Sequence, residues 1–394
     1  MKKIMSGSAV LLITASPLVA GGIERAPQSL AVLFEQGNYA ELSFGGADPT
    51  VEGSDSPIEG FYPGGTPTGD VAQGYGFVGL AYKHQFTDNL SGAFIVEQPF
   101  GADILYPSAA EGGSPLLGGT RATVDSTTFT ALGRYRFDNN FSVHGGIRGS
   151  KANGLVSLNG FAYGTSPTGV SGYEVNLDDA WGFGYVIGAA YEIPEIAARV
   201  SLTYNSSIEH DFDTVETGPG IDPDGPGPAP VLPLLDGTST TSVKTPQSLT
   251  LEGQTGIAAD TLLFGSIRWV KWSEFRVDPV NFTTITGGGL VDLEDTTTYT
   301  IGIGRKFTDN WSGSASFVYE PTGDDLVTPL APTNGRKGIT LAAIYTMDNI
   351  KITTGINYSK LGDARPETGT PDQERARMED SDLWGVGVRI GYSF

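Results

Sequence analysis

The chain closes on the stretch Asp382 to Phe394, which reads Asp-Leu-Trp-Gly-Val-Gly-Val-Arg-Ile-Gly-Tyr-Ser-Phe. Trp384, Val386, Val388, Ile390, Tyr392 and Phe394 are apolar and take every second place, with Gly385, Gly387, Arg389, Gly391 and Ser393 between them. A period of two is a strand with one apolar face. The opposite face is small and sparse, whereas a soluble sheet would show long polar side chains to water. That arrangement is expected of a barrel whose outer wall meets lipid and whose inner wall lines a lumen.

The pattern recurs along the 394 residues. Val78, Leu80, Tyr82 and Phe86 share one parity; so do Phe141, Val143 and Ile147, Trp181 to Tyr191 in steps of two, and Val200, Leu202 and Tyr204. Fourteen strands are expected. The first seven are 38–50, 71–86, 90–98, 124–137, 141–150, 179–191 and 198–211; the others are 247–257, 262–275, 297–307, 311–320, 338–346, 350–359 and 382–394. Six connectors are short, such as Thr87-Asp88-Asn89 and Thr308-Asp309-Asn310, where Asp and Asn accept left-handed backbone and bond their own main chain. Seven are long, including 103–123, 151–178 and 212–246. An even strand number with short turns on one side and long loops on the other describes an all-β, up-and-down antiparallel transmembrane barrel of about 14 strands.

Composition agrees. Cys is absent and the formal net charge is −21, which argues against a nucleic-acid partner. No metal loop is evident, and neither a cofactor nor a metal is expected. Met1-Lys-Lys-Ile followed by the apolar or small run Met5 to Ala20 predicts a signal peptide over residues 1–21. The apolar part is too short for a spanning helix.

Several features together resemble the FadL/TodX family of outer-membrane transporters. These are the strand count, Pro99-Phe100-Gly101 closing the third strand with Tyr106-Pro107 beyond it, Thr245-Pro246-Gln247-Ser248-Leu249 entering the eighth, and Trp269-Val-Lys-Trp272-Ser273-Glu-Phe275 in the ninth. The aromatic C-terminus is similar to the insertion signal of bacterial outer-membrane barrels. The resemblance implies an outer-membrane location, passage of long-chain fatty acids or other hydrophobic compounds, and no enzymatic activity. It also implies an N-terminal hatch, here reduced to residues 22–37 before a barrel over 38–394, with Leu30 to Phe34 as an apolar tip. A kink in the third strand at Pro99, Phe100, Gly101 and Ala102 would open sideways to the membrane. Outer-membrane lipid, lipopolysaccharide and the barrel-assembly machinery are the further partners expected, for a monomer.

Lumen-parity arginines are the candidates for a fatty-acid carboxylate, because a guanidinium binds a carboxylate through two parallel bonds. They are Arg134, Arg136, Arg148, Arg199, Arg268 and Arg389, with Arg148 and Arg389 foremost because they lie mid-strand. Wall-stabilising pairs with Asp or Glu are the plainer role for most of them. His84, His144 and His210 have no Gly-x-Ser-x-Gly elbow to serve. The run Val231-Leu-Pro-Leu-Leu is either a local cluster or a landing patch for an apolar ligand. A general diffusion porin for small hydrophilic solutes is the alternative to the transporter, and an adhesin or structural barrel a weaker one.

Overall fold

A computed structural model describes residues 23–26, 28–164, 168–222, 232–369 and 372–394. The expected signal peptide lies outside them. Fourteen antiparallel strands close into a barrel, with the first paired to both the second and the last. In chain order they are β1 (Tyr39–Thr50), β2 (Tyr75–Gln85), β3 in two pieces (Leu90–Glu97 and Gly101–Leu105), β4 (Arg121–Arg136), β5 (Phe141–Leu158), β6 (Tyr173–Ile193) and β7 in two pieces (Ala198–Asn205 and Ile208–Thr217). Then follow β8, also in two pieces (Gly237–Thr245 and Ser248–Ala258), β9 (Thr261–Val270), β10 (Thr296–Lys306), β11 (Trp311–Glu320), β12 (Arg336–Met347), β13 (Ile350–Leu361) and β14 (Asp382–Ser393).

The outward faces carry the membrane's signature. Trp311, Phe137 and Tyr392 lie near the short turns, and Tyr319, Phe129 and Trp384 lie eight residues away on the same strands. Eight residues span about 27 Å along a strand and about 20 Å along the axis at a tilt near 40°, close to the height of an outer-membrane apolar band. Neighbouring rings join into two girdles, with Phe137–Phe141 and Trp311–Tyr345 in one and Phe129–Trp181 and Tyr358–Trp384 in the other.

Above the second girdle the wall inverts. In the upper piece of β7, Ile208, His210, Phe212 and Thr214 are buried while Glu209, Asp211 and Asp213 face water. There the inside is an apolar core filled by the long loops, and the outside is solvent. In β6 a bulge at Asp178 and Asp179 carries out the change of face: Tyr173, Val175 and Leu177 point inward above it, Trp181, Phe183 and Tyr185 outward below it.

This inversion displaces several expected boundaries. The loop expected at 212–246 is confined to 218–236, because β7 runs on to Thr217 and β8 begins at Gly237. β5 continues to Leu158 and β6 starts at Tyr173, within the expected loop 151–178. The ninth strand ends at Val270, so Trp272 and Phe275 leave the wall and pack into the outer core.

Candidate functional site

The third strand is broken where Pro99 interrupts it. Leu90–Glu97 pairs with β2 on one side and β4 on the other, from Leu80↔Val96 and Glu97↔Thr128 downward. Gly101–Leu105 pairs in register with β4, starting at Gly101↔Asp125. Three residues of β3, Gln98 to Phe100, thus face two of β4, and the strand bends away from β2. Proline supplies no ladder donor there. Ser126 Oγ holds the bend, accepting from Phe100 N at 3.1 Å and donating to Phe100 O at 2.6 Å. On the β2 side the ladder gives way to one side-chain bond, from Val78 N to Gln98 Oε1 at 3.1 Å.

The bend leaves a gap through the wall. A cavity of about 80 Å³ lies there, lined by Val78, Leu80 and Val96 of the lipid-facing parity and by Ser29, Glu97 and Arg389 of the interior. Just above it, residues Ile23 to Ala26 occupy the place next to β3 that β2 has vacated. Arg25 N and Ala26 N both donate to Pro99 O, at 2.8 and 3.3 Å, and Gly101 N donates to Ile23 O at 2.9 Å.

This strand-like pairing sorts the side chains by parity. Glu24 and Phe100 face the lumen, where Glu24 meets Arg268 at 2.5 Å and Phe100 meets the edge of Trp272 with ring centroids 5.8 Å apart. Arg25 takes the other face. Its guanidinium lies 4.8 Å from the centre of the Tyr75 ring and reaches Asp125, on the outer face of β4, at 3.0 Å. Gly101 makes the room: a Cβ on it would fall 2.4 Å from the Arg25 guanidinium carbon.

The lumen differs on the two sides of this level. Toward the outside is the apolar core, reaching down to Ile23, Phe100, Ala102, Ile104 and Trp272. Within it, next to Arg25 and Tyr75, is a cavity of about 40 Å³ with walls that include Val51, Ala72, Ala102, Ile104 and Leu361. Toward the short turns the interior is charged. The 3₁₀ turn Ala31–Phe34 is wholly buried there, and Phe34 lies between the guanidinium groups of Arg134 and Arg199, 4.6 and 4.0 Å from its ring centre. Arg134 donates to Leu33 O at 3.2 Å and pairs with Glu192. Lys83 donates to Glu35 O, and Lys351 pairs with the Glu35 carboxylate at 2.5 Å.

Each sequence candidate can now be placed. Pro99, Phe100, Gly101 and Ala102 are together at the wall gap. Arg148 is buried in the lumen, and its Nη2 has no hydrogen-bond partner among the described residues. Arg389 faces Glu41 at 3.3 Å and borders the gap from within. Arg134, Arg199 and Arg268 hold the N-terminal segment. Arg136 is a correction: it lies exposed at the rim, bonded to Asp88 O at 3.4 Å, because β4 has left the lumen there. His144 bonds Thr203 at 3.1 Å, and His210 stacks on Phe212. Val231 lies outside the described residues; Leu235 is fully buried while Leu232 and Leu234 are exposed.

Sequence reasoning missed Glu24, Arg25, Lys83, Lys351 and Arg336. Only the adjacent opposite charges Glu24-Arg25 in an otherwise neutral stretch could have drawn notice. Arg336 precedes the strand expected at 338–346, yet it opens β12, is buried, and has Nε and Nη2 without a hydrogen bond among the described residues. Among those residues no group of three or more His, Asp or Glu side chains could hold a metal.

Comparison with known proteins places this architecture. No curated protein sequence matches the chain. Among solved structures, a Pseudomonas aeruginosa FadL homologue superposes with a TM-score of 0.71 at 17% identity, covering 92% of each chain. The Pseudomonas putida toluene transporter TodX gives 0.60 at 12% identity, covering 95% of this chain and 97% of its own. The Ralstonia pickettii toluene transporter TbuX gives 0.60 at 11%, covering 92% and 90%. These likenesses concern the fold. The sequence itself matches the family described as outer membrane protein transport protein (OMPP1/FadL/TodX) over residues 15–394, so the chain belongs to that family of bacterial outer-membrane transport proteins.

Proposed function

We propose that the protein carries hydrophobic small molecules, long-chain fatty acids or aromatic hydrocarbons, from the cell exterior into the outer membrane by passive diffusion. The observation that carries this reading is the change of lumen chemistry at the β3 break. Above it the interior is mainly an apolar core, with Arg336 and Glu320 buried beside it; below it a solute would meet Arg134, Arg199, Lys83, Lys351 and their carboxylate partners. A molecule that partitions into the upper core gains nothing by entering the charged half, since apolar burial is lost there at roughly 25 cal/mol per Å². The wall gap offers the apolar way out, into lipid. Residues 22–37 act as the plug of a barrel formed by 38–394, and Pro99 to Ala102 form the exit. The structural neighbours, a FadL homologue and toluene transporters, support this substrate class.

The chain contains no cysteine, so a pair placed at Val78 and Gln98 can staple the gap without side reactions. In proteoliposomes or cells, oxidation of the Val78→Cys/Gln98→Cys variant is expected to stop uptake of oleate or toluene, and reduction to restore it. Undiminished uptake in the oxidised protein would rule out lateral exit. Liposome swelling with small sugars distinguishes a general diffusion porin, which would show rapid flux.

A further inference from the structure

The wall rises unequally above the second girdle. β4 and β6 extend eight residues beyond their girdle rings, Phe129 and Trp181, or about 27 Å along the strand. β11 and β14 extend only one and two residues beyond Tyr319 and Trp384. On the tall side, the bulge that changes the face of β6 also dents the outer surface. An open hollow of about 530 Å³ lies there, lined by Thr123 of β4, Asn153 of β5, and Asn176, Asp178 and Asp179 of β6. It begins one step above Trp181, because Lys151 is the cross-strand partner of that residue and Asn153 is the next outward residue of β5. Trp181 is half exposed on the lipid face and packs on Phe129 with ring centroids 5.8 Å apart.

The polar groups of the hollow are already oriented. Asn153 Nδ2 donates to Asp179 Oδ1 at 2.9 Å, and Asn176 Nδ2 donates to Asp178 Oδ1 at 2.5 Å. Lys151, just below, is committed to Asp179 Oδ2 at 2.7 Å. The second oxygen of Asp178, both amide oxygens and the Thr123 hydroxyl have no hydrogen bond among the described residues. Planar amides and carboxylates side by side present donors and acceptors at the spacing of adjacent hydroxyl groups. Two carboxylates, with Lys151 already paired, disfavour a phosphate. Among the described residues no three His, Asp or Glu side chains come together to hold a metal. The hollow opens sideways, just beyond an aromatic girdle, which is the level of the outer-leaflet head groups.

We propose that this hollow binds a sugar of the outer-leaflet glycolipid, the saccharide part of lipopolysaccharide. Asn153, Asn176 and Asp178 bond neighbouring hydroxyls of the sugar, and the Trp181 ring beneath offers an apolar body to its C–H face. The acyl chains then lie along the lipid face of β5 and β6. A free saccharide has the same hydroxyls but no chains to bring it to a hollow that faces the head-group layer, so the lipid-linked form is the occupant. The tall side of the barrel is thereby held by glycolipid, whereas the low side has no wall at that height. This inference is independent of what the lumen carries.

The test uses the full protein in mild detergent, mixed with rough lipopolysaccharide carrying only inner-core sugars, or with phosphatidylglycerol as an anionic lipid without sugar. Native mass spectrometry counts the lipid retained. The wild type is expected to keep one lipopolysaccharide at concentrations where phosphatidylglycerol is lost. The double variant Asn153→Ala/Asn176→Ala is expected to retain at least five-fold less of it, with phosphatidylglycerol unchanged. Thr123→Trp, which fills the hollow and leaves the amides in place, is expected to do the same, and decides alone if the double variant does not assemble. EDTA and Asp178→Asn are each expected to leave retention within two-fold. Core oligosaccharide cut from the same lipopolysaccharide is expected to compete only at concentrations a hundred-fold higher. No preference in the wild type, or retention that survives both the double variant and Thr123→Trp, overturns the site. Loss in EDTA overturns it in favour of a cation bridge to phosphate, and equal competition by the free oligosaccharide overturns the glycolipid as occupant.

Discussion

Glu24 Oε1 lies 2.5 Å from Arg268 Nη2, with both side chains almost wholly removed from solvent. The pair ties the N-terminal segment to β9, across the lumen from its backbone bonds to β3. Arg268 is also bonded to Ser248 and Thr250, at 3.1 and 3.0 Å. Removing one member of such a pair leaves a buried charge uncompensated, at a cost of about 3–5 kcal/mol. Glu24→Ala is therefore expected to detach residues 23–26 while the barrel, held by its closed ladder, stays folded. Hydrogen exchange should show lost protection at Arg25 N, Ala26 N and Gly101 N alone. The exchanged pair Glu24→Arg with Arg268→Glu should recover it; protection unaffected by Glu24→Ala would mean the backbone bonds suffice.

Phe34 is the second fastening. Its ring is clasped by two guanidinium groups, each worth about 0.5–2 kcal/mol depending on desolvation. Its own burial adds roughly 1.5–3 kcal/mol. Phe34→Ala should loosen the turn Ala31–Phe34 and open an aqueous path past Arg134 and Arg199. Single-channel recordings are expected to show larger and more frequent ion conductance in the variant. Phe34→Leu keeps the burial and loses the ring, so it should fall between the two.

The lower half of the barrel was legible in the sequence because lipid imposes one rule on it. Every second residue from Trp384 to Tyr392 or from Trp181 to Tyr191 must be apolar, and nothing competes with that demand. The upper half answers to a different rule. Ile208, His210 and Phe212 face an apolar core while Glu209 and Asp211 face water, so the period persists with its meaning reversed. At Asp178 and Asp179 the bulge removes the phase as well, so the alternation of β6 below it does not extend to Tyr173. The site was legible at Pro99 because proline carries its own backbone consequence. Glu24 and Arg25 were not, because what gives them their place is a partner far away in the chain, Arg268 for the one and Asp125 for the other.

The outer cap contains a titration that should be visible near neutral pH. Burial pushes the Glu367 carboxyl up to about 7, with the charge of Asp372 adding to the effect and Arg375 opposing it. Its Oε2 has no hydrogen-bond partner among the described residues, while Arg375 Nε is bonded to Thr368 Oγ1 at 2.7 Å. The folded cap thus holds a proton that the open loop, with an ordinary value of 4.5, releases earlier. Between these two values the open form binds fewer protons, so cap stability falls as pH rises. The stabilisation is complete below the lower value and is lost as pH passes through about 7. Limited proteolysis of the native protein should cut residues 363–380 faster at pH 8.5 than at pH 5.5. Glu367→Gln should remove that dependence, and a dependence that survives the substitution would assign the titration elsewhere.

The inversion of the wall can be measured with one residue type at two heights. Ile187 lies between the girdles on the lipid face of β6 and is 53% exposed in the isolated chain. A lysine at the middle of the bilayer costs about 2–4 kcal/mol, falling to about 0–1 near the interfaces. Asp213 shows the same outward exposure on β7, but above the upper girdle. Ile187→Lys is therefore expected to lower unfolding stability in lipid vesicles by about 2–4 kcal/mol, whereas Asp213→Lys should leave it within about 0.5 kcal/mol. Phe212→Lys supplies the opposite sign of the argument, since Phe212 points into the apolar core at that same height. It should be as harmful as the lysine in lipid, although it is one residue from a position that tolerates the change. Equal penalties at Asp213 and Ile187 would mean that lipid reaches above the girdle of Phe129 and Trp384, and the upper core would then lie within the membrane.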